Sequence, residues 1–427
     1  MNMSTAEKKV FILTYGGGHV NIMIPVIREL QKNDAISLSV LGLSIASKRL
    51  KEEGIPHHTI SYYKELIMDE SAWSWGKKLA GEYHVESSGI TYEETIIYFG
   101  ASMRDLVSKQ GLEEAVSIFE LQGRACFLPT YTMEKILAIE RPDLLLTGNC
   151  PRMEHAAMRV AYGNGIKVLS LNDLLGFDKK YIFPADKIAV ISEITRENLI
   201  KDGNDENKIV VTGSPSLDGI SDEMRSFSRT KICEALGMPM KAKAFLLATQ
   251  PQKICTWEMI DMMTAVLDAY PDHYLVIKHH PGDDRHLYVD YLANKNHPRV
   301  ILADMDVRKI IFVSDITITI FSTVGLESIL MGVPLVQLNL LGIPNPIPLF
   351  KYNVCLEATS FPELVDNIGR LLGDKILRRE LSRNKKRYFN SILNGSGLKN
   401  CIKLVYELLG MENELKEKTI PCSEQVS

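Results

Sequence analysis

Short apolar runs alternate with helix-period segments along almost the whole chain, and that alternation restricts it to a parallel α/β architecture. Val10 to Thr14 is apolar and is followed by Tyr15-Gly16-Gly17-Gly18-His19, after which Ile22, Ile24, Val26, Ile27 and Leu30 mark one face of a helix. Ser37 to Leu43 reads as a second strand and Ile45 to Glu53 as its return helix. The pattern resumes with Asp143 to Thr147, the helix Met153 to Asn164, Lys167 to Leu171 and Ile188 to Ile191. A second series begins after Lys208 to Thr212 and the turn Gly213-Ser214-Pro215, with strands Ala244 to Ala248, Tyr274 to Lys278, Val300 to Leu302, Ile316 to Ile320 and Leu335 to Leu338.

A chain of 427 residues exceeds the size at which one hydrophobic core keeps growing, so two domains are expected. The strand series place them at 1–213 and 214–400, each Rossmann-like, with a cleft between them and a C-terminal helix and tail at 401–427. Between about 62 and 141 the alternation breaks; the pair Trp73 and Trp75, the polar stretch Gly81 to Glu94 and helical segments such as Leu112 to Leu121 predict an irregular insertion. Ile376 to Leu409 is helical by pattern, and Met411 to Ser427, charged and without apolar period, is expected to fray.

Composition, 45% hydrophobic and 24% charged, is that of a globular protein. The net charge of −4 gives no whole-chain attraction to nucleic acid or anionic lipid and leaves only a local basic patch open. The seven cysteines form no C-x-x-C pair, which points to thiols in a reducing compartment. Met1 to Lys9 does not read as a signal peptide, no apolar run approaches the roughly 20 residues of a membrane span, and a cytoplasmic location is expected.

Two segments carry the chemistry: Lys278-His279-His280-Pro281-Gly282, and the run Phe321-Ser322-Thr323-Val324-Gly325 with Glu327, Gly332 and Pro334 behind it. Each follows a strand, and open α/β sheets bind ligands at strand carboxyl ends. Ser322 and Thr323 place hydroxyls and free N–H groups at a helix start, where the helix dipole favours phosphate. Gly325 lies in that segment, and Glu327, about one turn in, can accept ribose hydrogen bonds. Lys278 and His280 add donors beside a rigid Pro281, whereas His279 alternates to the opposite side and is expected to be structural. Thr249 and Gln250 follow the first strand of this half.

In the first half, Gly17, Gly18 and His19 lack the G-x-G-x-x-G spacing of a nicotinamide site, and there is no G-x-x-x-x-G-K-[ST] loop for a P-loop ATPase. His19 is a candidate base because imidazole titrates near neutrality. Asp173, ending a strand, is a second candidate, with Glu82, Glu86, Glu93 and Glu94 as rivals. No metal site is expected; the one Asp-x-Asp, Asp304-Met305-Asp306, reads as a helix cap.

At these residues the chain resembles glycosyltransferases of the GT-B fold, nearest to capsule-type transferases, including bacterial sialyl- and polysialyltransferases, and to the glycerophosphotransferases of teichoic acid synthesis. It also resembles the non-hydrolysing UDP-N-acetylglucosamine 2-epimerases, whose Glu-containing helix ends in Gly-x-Pro; their Asp-Ser-Gly-Gly loop is replaced here by Phe321-Ser322-Thr323-Val324-Gly325. The resemblance implies a metal-independent, cofactor-free enzyme that takes a UDP- or CMP-linked sugar. The donor is bound through Ser214, Thr249, Gln250, Lys278, His280, Pro281, Ser322, Thr323, Gly325 and Glu327 of the second domain and through Gly17 and Gly18 of the loop that faces the cleft from the first. The first domain and its insertion hold a glycan or lipid-linked acceptor of surface polysaccharide synthesis (capsule or lipopolysaccharide), and His19, Asp173 and His280 are the catalytic candidates. Peripheral membrane contact would come through the acceptor, and no nucleic-acid partner is implied. A nucleotide-sugar 2-epimerase and a non-catalytic nucleotide-sugar-binding protein are the alternatives.

Overall fold

The structure, a computed structural model, describes residues 7–86, 89–149, 152–175, 180–250, 255–280, 283–342, 345 and 347–412. It divides into two units, one of Met1–Leu174, Lys180–Ser216 and Ser396–Ser427, the other of Leu175–Lys179 and Leu217–Gly395.

The first unit is built on six parallel strands: β1 (Lys8–Thr14), β2 (Ile36–Gly42), β3 (Leu144–Thr147), β4 (Lys167–Asn172), β5 (Lys187–Val190) and β6 (Ile209–Val211), in the order β2-β1-β3-β4-β5-β6. Strands β1 and β3 pair from Val10 with Leu144 to Leu13 with Thr147, all buried. Parallel strands covered on both faces read as near-continuous apolar runs, which is why the sequence marks them. The connection turns from one side of β1 to the other after β2, so the crevice beyond the carboxyl ends of β1 and β3 is the switch point of this sheet.

The second unit repeats the plan with β7 (Lys243–Ala248), β8 (His273–Lys278), β9 (Val300–Leu302), β10 (Ile316–Thr319), β11 (Leu335–Leu338) and β12 (Leu356–Ala358), in the order β12-β11-β10-β7-β8-β9. Counted from β7, this is the doubly wound order that binds nucleotides at the gap between its first and fourth strands, here β7 and β10. A core of Phe245, Leu247, Met263, Leu275, Ile277, Ile318 and Val336 lies between this sheet and its helices.

The segment expected to be irregular between 62 and 141 is mostly helix, with Glu70–Tyr83, Tyr92–Gln110, Leu112–Gln122 and Thr130–Glu140 as its main elements. Glycines let the first two cross closely, since a Cβ on Gly76 would sit 2.3 Å from the Ile96 carbonyl oxygen and one on Gly100 2.1 Å from that of Ala72. Leu79, Phe99, Met103, Phe119 and Phe127 form a satellite core there, with Trp75 against it. Beneath it the buried Arg104 is held by Asp105 at 2.8 Å and Asp69 at 2.9 Å.

The helix Gly397–Leu409 belongs to the first unit, packing on β3, β4 and the helix Gly18–Leu30. Tyr406 accepts from Asn33 Nδ2 at 2.8 Å. The tail expected to fray, Met411 to Ser427, lies outside the described residues beyond Glu412; Met411 itself is buried and donates its N–H to the Tyr406 carbonyl, closing the helix behind the left-handed Gly410. At the other end a Cβ on Gly397 would stand 2.6 Å from the Ser214 carbonyl carbon and 2.7 Å from its nitrogen. Backbone cannot step aside as a flexible side chain does, so Gly397→Ala is expected to loosen the docked helix and cost about 1–3 kcal/mol in chemical denaturation; a midpoint unchanged or raised would refute this close approach.

Candidate functional site

At the switch point of the first sheet, β1 runs into Tyr15-Gly16-Gly17-Gly18-His19 and β3 into Gly148 and Asn149. The helices that follow are Gly18–Leu30 and Met153–Gly163, and each supplies one side chain to the crevice. His19 Nδ1 lies 3.0 Å from Oε2 of Glu154, and the Tyr15 N–H donates to Oε1 of the same carboxylate at 3.0 Å. Glu154 is fully buried, and a charge so placed persists only when both oxygens are satisfied.

Two glycines make this approach feasible. A Cβ on Gly148 would sit 2.4 Å from His19 Nδ1 and 2.8 Å from Glu154 Oε2, and one on Gly18 would fall 1.9 Å from Asp173 Oδ2. Gly17 has φ of 72°, which favours glycine for the turn into the helix. Above the cluster the Arg152 guanidinium lies 4.7 Å from the centre of the Tyr15 ring. Asn149, 2% exposed, has no hydrogen-bond partner for either amide atom among the described residues.

Burial alone would lower the His19 pKa, but the Glu154 and Asp173 carboxylates outweigh it and raise the pKa to about 9. Asp173 is pushed up by burial, with Glu154 adding to the rise and His19 opposing it. The sequence-predicted His19 and Asp173 are thus brought together, and the residue that sequence reasoning missed is Glu154. Its signal was present: Glu154 shares a helix face with the apolar Ala157, Met158 and Ala161, all buried, and a carboxylate on such a face needs a partner. The rival acids are placed elsewhere: Glu93 pairs with Lys64, Glu94 closes a capping box with Thr91, and Glu82 and Glu86 are exposed. Next to Glu154 on the same helix, His155 lines a cavity of about 460 Å³ together with Arg159, Lys180 and Tyr181, and Tyr181 Oη is 2.6 Å from His155 Nδ1.

In the second unit the predicted residues gather at the carboxyl ends of three neighbouring strands, β10, β7 and β8. Ser322 caps the helix Thr323–Leu330, its Oγ accepting from the Val324 N–H at 3.2 Å, and Thr323 is exposed at the first helical position. Gly325 serves packing, since its Cβ would meet Leu335 at 3.0 Å. Glu327 is engaged by Arg308, whose Nε donates to Oε2 at 2.6 Å while the same guanidinium reaches Glu223 at 2.7 Å. Thr249 and Gln250 are buried: Thr249 Oγ1 accepts from the His280 N–H at 3.1 Å and meets Tyr288 Oη at 2.9 Å, and Gln250 donates to Thr319 Oγ1 at 3.0 Å. Thr249 thus holds the backbone of His280, and Gln250 ties the end of β7 to the end of β10.

Lys278 ends β8, half-buried, and burial lowers the His280 pKa. His279, expected to be structural, points its Nδ1 at the His280 carbonyl and packs on Tyr288. Pro281, with Gly282, lies outside the described residues. Ser214 belongs to the first unit, buried beside Gly397 with Oγ 3.0 Å from that of Ser216. Asp306 accepts from the Arg308 N–H at 2.8 Å as the cap of Val307–Val313, as its spacing predicts.

These two switch points sit in an architecture shared with known proteins. S. aureus MnaA in a co-structure with UDP superposes with a TM-score of 0.63 at 13% identity, covering 95% of this chain and 97% of the other. UDP-GlcNAc 2-epimerase from Neisseria meningitidis bound to UDP-GlcNAc gives 0.62 at 14% identity, covering 94% and 99%. The calicheamicin glycosyltransferase CalG4 gives 0.59 at 13% identity, covering 95% and 98%. The chain has the GT-B fold. Within it, residues 212–342 match the sequence model of the family described as lipid-A-disaccharide synthetase. A search of curated proteins by sequence finds no match. Among the described residues no helix of this GT-B chain is long and apolar enough to cross a membrane.

The His19 pairing has a sign that can be tested. Because the folded value lies above the usual 6.5, its stabilisation is full below pH 6.5 and is lost as pH rises through about 9. Glu154→Gln is expected to lower the thermal midpoint most below pH 6.5, with the gap to the parent closing by about pH 9, and to drop the His19 pKa under 6.5 in an NMR titration, since burial then dominates. A gap independent of pH, together with an unchanged histidine titration, would discard the pairing.

Proposed function

We propose that this chain is a glycosyltransferase that moves a sugar from a UDP- or CMP-linked donor to a hydroxyl of a glycan or lipid-linked acceptor in surface polysaccharide synthesis. The observation that carries the reading is His19 held by Glu154 at the switch point of the first sheet, because transfer to a hydroxyl needs a positioned proton acceptor. With Nδ1–H directed at Glu154, the neutral ring has Nε2 left to take the acceptor proton as the hydroxyl oxygen attacks the anomeric carbon and the bond to the nucleotide phosphate breaks. Asp173 tunes that imidazole through its charge. The match of 212–342 to a lipid-A-disaccharide synthetase family supports donor binding in the second unit.

There, phosphate would lie against the free N–H groups and hydroxyls of Ser322 and Thr323, with His280 and Lys278 as further donors near the leaving group. The ribose would meet the oxygen of Glu327 that Arg308 leaves open, Thr249 would act by holding the His280 loop, and Gln250 by joining the ends of β7 and β10. The helical segment between 62 and 141 is the proposed acceptor-binding region.

An alternative reading, a nucleotide-sugar 2-epimerase, is favoured by the superposition with UDP-GlcNAc 2-epimerase over nearly the whole chain. Incubation with UDP-GlcNAc alone, followed by NMR, separates the two, because an epimerised or glycal product without an acceptor would overturn transfer. In a thermal-shift panel of UDP, CMP, CDP and GDP, either UDP or CMP is expected to stabilise most. His280→Ala and Ser322→Ala should each weaken that nucleotide about tenfold; unchanged affinity in both would remove the donor site. His19→Gln should lower transfer about 10²–10⁴-fold at unchanged donor affinity. The parent rate should climb with pH toward about 9, as the imidazolium loses its proton. A rate that falls over that range would remove His19 as the base.

A further inference from the structure

The helix Lys375–Leu393 carries Lys375, Arg378, Arg379, Arg383, Lys385, Lys386 and Arg387 against the single acid Glu380. That is +6 within a chain of net −4, which leaves the remaining residues at −10 (−4 less +6). Leu381, Phe389 and Ile392 face inward, and Leu377 packs against the core of the second unit. At about 100° per residue, Lys375, Arg379, Arg383, Lys386 and Arg387 fall on one outward strip, and all five are exposed. Ile376 lies in the same strip with 76% of its surface exposed.

Four of these cations, Lys375, Arg379, Arg383 and Arg387, follow one another at i,i+4 spacing. Like charges so placed destabilise a helix by a few tenths of a kcal/mol per pair. Elsewhere the chain offsets such residues with acids, as in Arg49 with Glu53 or Arg370 with Asp366, whereas among the described residues none of the seven cations on this helix takes part in an ion pair. Among the described residues, therefore, no ion pair offsets this repulsion.

We propose that this face docks on an anionic lipid surface. A strip of flexible cations spread over about 18 Å binds a planar field of headgroups without needing register, and an exposed isoleucine at its start is at home at the acyl boundary. The apolar side of the helix is already committed to the unit's own core, so attachment is electrostatic and weakens steeply with salt.

The test is flotation of the full chain with vesicles of phosphatidylcholine, alone or mixed with phosphatidylglycerol, at low and physiological salt. Binding is expected only to the mixed vesicles and should fall as salt rises. Arg379→Gln, Arg383→Gln and Lys386→Gln together should lower partitioning roughly a hundredfold, at about fivefold per charge. The corresponding lysine triple should bind like the parent, and neutralising the exposed Lys48, Lys51 and Lys109 of the first unit should change nothing. The glutamine triple should keep or raise the thermal midpoint, because it removes repulsion, so a loss of binding is not a loss of folding. Equal binding to neutral vesicles, no binding to either, or retention on a DNA or RNA duplex in preference to mixed vesicles would each overturn the proposal.

Discussion

A carboxylate with no exposed surface is the constraint around which the first unit is arranged. Removing such a group from water costs several kcal/mol unless its oxygens find donors, and Glu154 finds them in the Tyr15 N–H and the His19 ring. One donor comes from the turn after β1 and the other from the first turn of the helix that follows it, while the acid comes from the helix after β3, so the contact ties together the two strands that flank the switch point. Glycines at 18 and 148 follow from it, because any side chain there would occupy the volume of the cluster.

The second unit reaches a comparable organisation by neutral hydrogen bonds. Thr249, Tyr288 and the His280 backbone form one buried network, and Gln250 joins Thr319 across β7 and β10. Such polar links inside a sheet are costly if half-satisfied and rigid if complete. They hold the ends of three strands in fixed relation, which a phosphate-binding loop requires of its support.

Much of this was legible beforehand, for reasons specific to each element. Buried parallel strands announce themselves as apolar runs, so β1, β3, β7, β8, β10 and β11 were readable from residues such as Val10–Thr14 and Ile316–Ile320. Strand β12 was not, because Leu356-Glu357-Ala358 is too short and too polar at its centre to give a period. His19 and Asp173 stood out as chemistry-bearing residues at strand ends, whereas Glu154 was hidden: its pairing spans 135 positions, and only the sheet order brings β3 beside β1. The engagement of Glu327 by Arg308 was hidden in a different way, since the partner comes from the preceding helix, 19 positions away.

The return of the last helix to the first unit bears on how the chain is made. Residues 217–395 must be synthesised before Gly397–Leu409 exists, an interval of roughly ten to thirty seconds at ordinary elongation rates. Throughout it, the apolar seat of that helix on β3, β4 and the first helix has no cover. Birth order and assembly order therefore differ: the unit begun first is completed last, and a nascent chain stalled anywhere in the second half carries an open hydrophobic seam that chaperones can recognise.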